Sequence, residues 1–295
     1  MSAHKAGFVN IVGNPNVGKS TLMNALVGER LSIITSKAQT TRHRILGIVS
    51  GEDFQVIFSD TPGIIKPAYA LQESMMGFVR TALEDADVLI YMVEIGQKGL
   101  KDEAYLEKIR KTKVPLLLLI NKIDTADQQL LEAQVDYWQE LLPRAEIFPV
   151  SALERFGVQQ VFDRILELLP EGPAYFPKDQ LTDRPERFFV SEIIREKILQ
   201  HYKKEIPYAV EVEVEAFEEG EDLIRIGAVI MVERDSQKGI LIGHKGSALK
   251  RVGTGARKDL EKFFDKNVYL ELFVKVNKNW RTDARQLRRF GYDPR

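Results

Sequence analysis

Hydrophobic and polar positions in the first half of the chain follow two rhythms. Short, nearly solid apolar runs recur at Phe8–Val12, Phe54–Ser59, Val88–Glu94, Val114–Ile120 and Ile147–Val150. Between most of them lie longer stretches with helical spacing: Ser20–Val27, Leu71–Leu83, Asp102–Lys111, Gln128–Leu142 and Val158–Leu169. Strands that are apolar on both faces, alternating with helices, predict an α/β domain with a mostly parallel sheet covered on both sides. Leu46–Val49 is expected to pair with Phe54–Ser59 as a hairpin across Ser50–Asp53.

The rhythm stops at Leu169-Pro170-Glu171-Gly172-Pro173, where two prolines and a glycine cannot continue a helix. Beyond it, Phe189–Tyr202 reads as a helix, and Tyr208–Phe217 and Leu223–Glu233 as alternating strands. Lys245–Phe264 is helical in its later part, and Val268–Val276 is a strand. This α-β-β-α-β order predicts a smaller α+β module. The expected organisation is a first domain over 1–170, a linker over 171–184 and a second domain over 185–295.

Composition adds little to this picture. The 295 residues suit two domains, and 44% apolar content is ordinary for a soluble protein. The absence of cysteine excludes disulfide and thiolate chemistry. No apolar leader precedes the first strand, and Leu116–Ile120 falls far short of the ~20 residues a spanning helix needs. The expectation is a cytoplasmic protein. The net charge of −1 is uninformative, but its distribution is not. From Glu205 to Glu233 there are nine acids and one base, whereas from Arg234 to Arg295 there are sixteen bases and seven acids. The C-terminal stretch is therefore a candidate polyanion site.

The candidate chemistry sits at strand ends. Gly13-Asn14-Pro15-Asn16-Val17-Gly18-Lys19-Ser20 follows the first strand and opens a helix that continues through Thr21. This is a G-x-x-x-x-G-K-S phosphate loop. Its backbone N–H groups can turn around phosphate oxygens, Lys19 can reach the β- and γ-phosphates, and the Ser20 hydroxyl suits Mg²⁺. Asp60-Thr61-Pro62-Gly63 follows the Phe54–Ser59 strand. Asp60 is a candidate Mg²⁺ ligand through water, and the Gly63 N–H a candidate γ-phosphate contact. In the polar stretch Lys37–His43, a threonine could complete the metal shell. Thr41 is favoured, with Thr40 as the alternative, and Arg42, His43 and Arg44 read as loop surface. Lys19, Thr41 and Gly63 are the candidate catalytic positions.

Asn121-Lys122-Ile123-Asp124 ends the Val114–Ile120 strand. The Asp124 carboxylate can accept from both N1–H and the exocyclic amine of guanine, which adenine cannot match. Lys122 can lay its stem along the base, and Asn121 can brace neighbouring loops. In Ser151-Ala152-Leu153, a backbone N–H, favoured as that of Ala152, would donate to guanine O6. The expected ligands are GTP or GDP with Mg²⁺. Position 64, where many GTPases carry a water-orienting glutamine, is Ile64.

The ordered set GNPNVGKS, QTTRH, DTPG, NKID and SAL resembles the translation-factor-related small GTPases. From about Gly7 to Tyr292 the chain is similar to the Era family of bacterial ribosome-assembly GTPases. That resemblance implies slow intrinsic hydrolysis, because Ile64 fits the family's apolar substitution. It also implies that a loop asparagine assists K⁺ binding; Asn14 and Asn16 are the candidates, with Asn16 favoured.

In the second domain, Gly243-His244-Lys245-Gly246 lies between apolar residues and a helix start. A G-x-x-G turn there matches the backbone clamp of KH domains. Ser236–Lys258 holds no acid but carries Lys238, Lys245, Lys250, Arg251, Arg257 and Lys258. These residues point to single-stranded nucleic acid. The resemblance supplies the type II KH topology and the target, 16S ribosomal RNA near its 3′ end on the 30S subunit. It further implies a monomer, with peripheral contact at the inner membrane known in the family, although no amphipathic anchor is visible. Trp280, within the basic stretch Asn277–Arg289, could stack on a base or cap the core. Two other functions fit the same residues: a GTP-dependent scaffold with negligible turnover, or a GTPase serving another RNA or membrane client.

Overall fold

The computed structural model describes residues 4–100 and 102–292. The outermost residues of the two expected domains, 1–3 and 293–295, lie outside the described residues. The chain divides into two compact units, 4–68 with 72–183 and 69–71 with 184–292.

In the first unit the solid apolar runs become strands. The strands are β1 (Lys5–Gly13), β2 (Ile45–Ser50), β3 (Phe54–Asp60), β4 (Val88–Glu94), β5 (Leu116–Asn121) and β6 (Glu146–Pro149). Of these, β1, β3, β4 and β5 are buried on both faces, whereas β6 at the sheet edge is only half-buried. They form one sheet in the order β2-β3-β1-β4-β5-β6. All neighbours are parallel except β2 and β3, the expected hairpin. Every residue of β5 is buried, which its run Leu-Leu-Leu-Leu-Ile-Asn requires. The helices are α1 (Lys19–Val27), α2 (Ala70–Glu84), α3 (Glu103–Arg110), α4 (Gln128–Leu141) and α5 (Val158–Leu168). Asp102 and Asp127 cap α3 and α4 by accepting from Ala104 and Leu130 N–H. By contrast, α1 has no side-chain cap; Gly18 precedes it in the left-handed conformation at φ 105°.

The segment 171–183, expected as part of a linker, is laid along this sheet. Leu181 O accepts from Ile48 N–H at 2.8 Å, and the Thr182 hydroxyl donates to Leu46 O at 2.7 Å. Gln55 Oε1 accepts from the N–H groups of Tyr175 and Phe176 at 2.7 and 2.9 Å. These bonds satisfy backbone groups at the edge strand that a loose linker would leave to water.

The second unit contains α6 (Glu186–His201), a short α7 (Ile206–Ala209), β7 (Glu211–Glu219), β8 (Leu223–Val232), α8 (Asp235–Ile242), α9 (Ser247–Phe264), β9 (Asn267–Val276) and α10 (Ala284–Arg289). Its sheet runs β7-β8-β9, with β7 antiparallel and β9 parallel to β8. The expected α-β-β-α-β order lacks three helices, α7, α8 and α10. The important one is α8. Its first turn is polar and Gly239 interrupts it, so periodicity does not reveal it. Gln237 holds its start by accepting from the Glu233 and Arg234 N–H groups at 3.0 and 3.1 Å. Trp280 is fully buried and donates to Ala209 O at 3.0 Å, so it closes the core and offers no stacking face. Among the described residues, no helix is long and apolar enough to cross a membrane.

Candidate functional site

The loop from β1 to α1 leaves no room for side chains at its glycines. A Cβ at Gly13 would stand 2.2 Å from the Met92 carbonyl oxygen. At Gly18 it would stand 2.2 Å from Asn121 Nδ2, in a backbone conformation that disfavours side chains anyway. The uncapped N–H groups of α1 thus open onto the loop, an arrangement suited to an anion. Lys19 is buried, and its ammonium donates to Gly13 O at 3.2 Å and Asn14 O at 2.8 Å. Burial pushes its pKa down to about 8 against the opposing pull of Asp60. A cation held this way is stabilised by any phosphate that reaches it.

Three oxygens converge beside it. The Ser20 hydroxyl donates to Asp60 Oδ2 at 2.7 Å and lies 2.9 Å from Thr41 Oγ1. Thr41 in turn donates to the same Asp60 oxygen at 3.3 Å. Asp60 is fully buried at the end of β3. Burial raises its pKa, with the Ser20 hydroxyl and the Lys19 charge pulling the other way. The nearby Ser32 hydroxyl also pulls its pKa down, although among the described residues neither that hydroxyl nor the buried Asp60 Oδ1 has a partner at hydrogen-bond geometry. Two hydroxyls and a carboxylate with an unused buried oxygen fit a small hard cation such as Mg²⁺. Thr40 turns away, bonding Lys37 O and Thr35 Oγ1, both at 2.6 Å. Thr41 is therefore the threonine of this cluster. The cluster borders a cavity of about 460 Å³ also lined by Pro15, Asn16, Thr21, Gly63 and Lys122.

The chain brings the second pair of motifs to the same edge of the sheet. Asn121 donates to Val17 O at 2.7 Å and accepts from Ala152 N–H at 2.9 Å. One side chain thus fastens the phosphate loop to the Ser151–Leu153 turn. The expectation of an open Ala152 N–H is not met: its single hydrogen is committed to Asn121. The N–H of Leu153, a residue 75% exposed, follows next in the turn. Lys122 takes a left-handed conformation at φ 66°, with its ammonium 2.9 Å from Glu94. Asp124 is exposed, and its carboxylate makes no hydrogen bond or ion pair among the described residues.

Other expectations for the loops change. Arg42 and His43 are buried, at 0% and 5% exposure, instead of forming loop surface. The Arg44 guanidinium is drawn into a network with Asn10, Ser59 and Asp85. Ile64 is fully buried and its N–H is bound to Gly13 O at 3.0 Å, so its side chain belongs to the core. The Asn14 and Asn16 amides donate to Gly99 O at 3.4 Å and Ser36 O at 2.9 Å.

In the second unit, the G-x-x-G turn joins α8 to α9. Gly243, Lys245 and Gly246 all have positive φ, at 72°, 49° and 78°. His244 and Lys245 are exposed at its tip. Gly246, Lys250 and Arg257 line a groove of about 390 Å³, closed on the far side by Leu270 and Leu272 of β9. Arg251 and Lys258 lie one position round the helix and do not line it, nor does Lys238 on α8. Leu270 and Leu272 are not among the site residues expected from the sequence. Their signal was the alternation of β9, which turns them away from the exposed Tyr269, Glu271 and Phe273.

A phosphate loop, a buried oxygen cluster and an exposed carboxylate at the neighbouring strand end define a nucleotide-binding domain of the P-loop GTPase class, here followed by a KH module. Family models agree: residues 8–122 match "50S ribosome-binding GTPase" and residues 205–281 match "KH domain". The GTPase Era of Staphylococcus haemolyticus is 46% identical over 99% of this chain and 98% of that protein. That of Alkaliphilus metalliredigens is 45% identical over 99% and 100%. The chain belongs to the Era family of GTPases. Its fold superposes on Era in complex with MgGDPNP and nucleotides 1506–1542 of 16S ribosomal RNA, with a TM-score of 0.94 at 39% identity. That match covers 98% of this chain and 99% of the other. It also superposes on an Aquifex aeolicus Era variant bound to GDP·AlF₄⁻, with a TM-score of 0.93, 39% identity and the same coverage.

Proposed function

We propose that this GTPase is a GTP-driven switch that binds 16S ribosomal RNA near its 3′ end and assists maturation of the 30S subunit. It would do so in the cytoplasm, as a monomer. The observation that carries the reading is the convergence of Ser20, Thr41 and Asp60 oxygens beside the buried Lys19 ammonium.

Residues 13–20 would wrap the phosphates through backbone N–H groups, with Lys19 on the β- and γ-phosphates. Ser20 and Thr41 would ligate Mg²⁺, with Asp60 holding it through water. Bound there, the metal would neutralise charge developing on the phosphate oxygens. Gly63 would present its N–H to the γ-phosphate; a Cβ at this position would lie 2.6 Å from Pro15 backbone atoms. Asp124 would accept from N1–H and the exocyclic amine of guanine. Lys122 would flank the base, and the Leu153 N–H, next in the turn after the committed Ala152 N–H, would face O6. With Ile64 in the core, position 64 offers no side chain to orient the attacking water, so catalysis would rest on positioning and charge neutralisation. Slow intrinsic turnover follows.

The G-x-x-G turn would clamp the RNA backbone, with Lys245, Lys250 and Arg257 adding charge and the groove against Leu270 and Leu272 holding bases. The nucleotides named for the Era complex give the choice of RNA. Thr41 would complete the Mg²⁺ shell, and Gly63 would meet the γ-phosphate, only in the triphosphate state, so RNA affinity would differ between states. Filter binding of a 16S 3′-end RNA with GDP and with a non-hydrolysable GTP analogue tests this. Unequal affinities support the switch, and identical affinities remove it.

A further inference from the structure

Arg44 lies three residues past Thr41, where the loop enters β2. Its guanidinium is spread over three elements. Nε donates to Ser59 Oγ at 2.7 Å. Nη1 and Nη2 form a two-pronged contact with Asp85, at 2.6 Å to Oδ2 and 3.1 Å to Oδ1. Nη2 also reaches Asn10 Oδ1 at 3.1 Å. Asn10 completes the network, donating to Asp85 Oδ1 at 2.7 Å and to Ala82 O at 2.6 Å. Asn10 and Ser59 are fully buried, and the Arg44 side chain is 12% exposed.

Each partner has a position that matters. Ser59 is the neighbour of Asp60 on β3, and successive strand residues face opposite sides. Arg44 therefore grips β3 from the face opposite the oxygen cluster. Asn10 lies on β1, which leads into the phosphate loop at Gly13. Asp85 follows the last residue of α2, the helix that comes after Asp60–Gly63. Side-chain distances of this kind, made by a planar five-donor group, fix orientation as well as separation. The Asp85 side chain is 41% exposed, so its pair with Arg44 is the outer, solvent-screened part of the clasp, and the bonds to the buried Ser59 and Asn10 fix the guanidinium.

We propose that Arg44 is a positioning residue for the metal-ligating threonine: its clasp on Ser59, Asn10 and Asp85 anchors the C-terminal end of the loop that carries Thr41. Without the clasp, Thr41 must be ordered anew each time it meets the metal, and that cost falls only on the triphosphate state. This inference rests on the functional reading above and goes beyond it. It assigns the task to a residue outside the five motifs, and it makes Asp85, at the exit of α2, part of the same device.

The test measures dissociation constants of the full chain for GDP and for a non-hydrolysable GTP analogue, both with Mg²⁺. The variants are Arg44→Ala, Arg44→Lys and Asp85→Asn. Arg44→Ala should weaken the triphosphate analogue about tenfold while changing GDP by less than about twofold. Arg44→Lys keeps the charge but not the fork and should fall between the wild type and Arg44→Ala. The Mg²⁺ concentration needed for half-maximal analogue binding should rise in the same order. A general loss of stability would weaken both nucleotides in parallel, and that result overturns the proposal, as does no change in either. Should Arg44→Ala not fold, Asp85→Asn leaves Arg44 its bonds to Ser59 and Asn10 and should show the same selectivity at about threefold. If the unsubstituted chain bound neither nucleotide, the functional reading itself would fall.

Discussion

Two turns in this molecule use the same backbone device in opposite electrical settings. Gly18 before α1 and Gly246 before α9 both have positive φ, and neither helix has a side-chain cap. Each therefore offers uncapped N–H groups to a phosphate. In the first turn the accompanying cation, Lys19, is buried and tied to two carbonyls. In the second, Lys245 stands exposed at the tip. The difference teaches what each turn is good for. A buried, prepaid cation holds one compact ligand tightly and exacts a large penalty when the ligand is wrong. An exposed cation beside an open groove tracks a flexible polyanion, contributes little per contact and is screened by salt.

Breaking the first turn should do the most damage. Lys19→Ala removes the buried charge and should weaken GDP and GTP binding by about 10² to 10³-fold, as loss of one partner from a buried charge pair does; calorimetry checks it. Next comes the base end. Asp124→Asn replaces one acceptor oxygen by a donor, so guanine should lose about 10²-fold while xanthine, with a carbonyl at the amine position, gains relative to it. Competition between GDP and xanthosine diphosphate reads this directly.

The comparison can be sharpened with pH. Lys19 has its pKa lowered to about 8 from 10.5. Nucleotide needs the cation, so affinity should be steady below pH 8 and fall by up to about tenfold per unit above it, with proton uptake on binding. Stability of the free protein moves oppositely. Between about pH 8 and 10.5 the unfolded chain holds more protons at Lys19, so this group's contribution makes folding more favourable as pH rises. Titration calorimetry in buffers of different ionisation heat counts the protons taken up on binding, and denaturant unfolding of the free protein across this pH range reads the stability. The smallest effect belongs to the second turn. Lys245→Ala should weaken RNA only a few-fold and lower the slope of log affinity against log salt by about one, leaving nucleotide binding unchanged.

The same contrast explains what could be read from the sequence. The phosphate loop, Asp60 and the Asn121–Asp124 turn lie at ends of strands whose apolar runs are unmistakable, and β4 spans the predicted Val88–Glu94. Local pattern placed the chemistry because the sheet places strand ends together. Features set by distant partners were hidden. Arg44 meets Asp85 forty-one positions away, and residues near 181 bond to β2 across more than 130 positions. Neither leaves a periodic trace. Arg42 and His43 read as loop surface because they are polar, yet tertiary packing buries them. The choice between Thr40 and Thr41 also needed coordinates, since adjacent residues with one side chain differ only in direction. In the second unit, α8 was lost to Gly239 and a polar first turn.

The central claim is that Lys19 and Asp124 serve two ends of one guanine nucleotide. Calorimetry of the purified chain with GDP, GTP and ATP, with and without Mg²⁺, tests it most directly. One site should take GDP and GTP, tighten for GTP when Mg²⁺ is present, and ignore ATP. Binding of ATP as strong as that of GTP, or no binding of either guanine nucleotide, would contradict it.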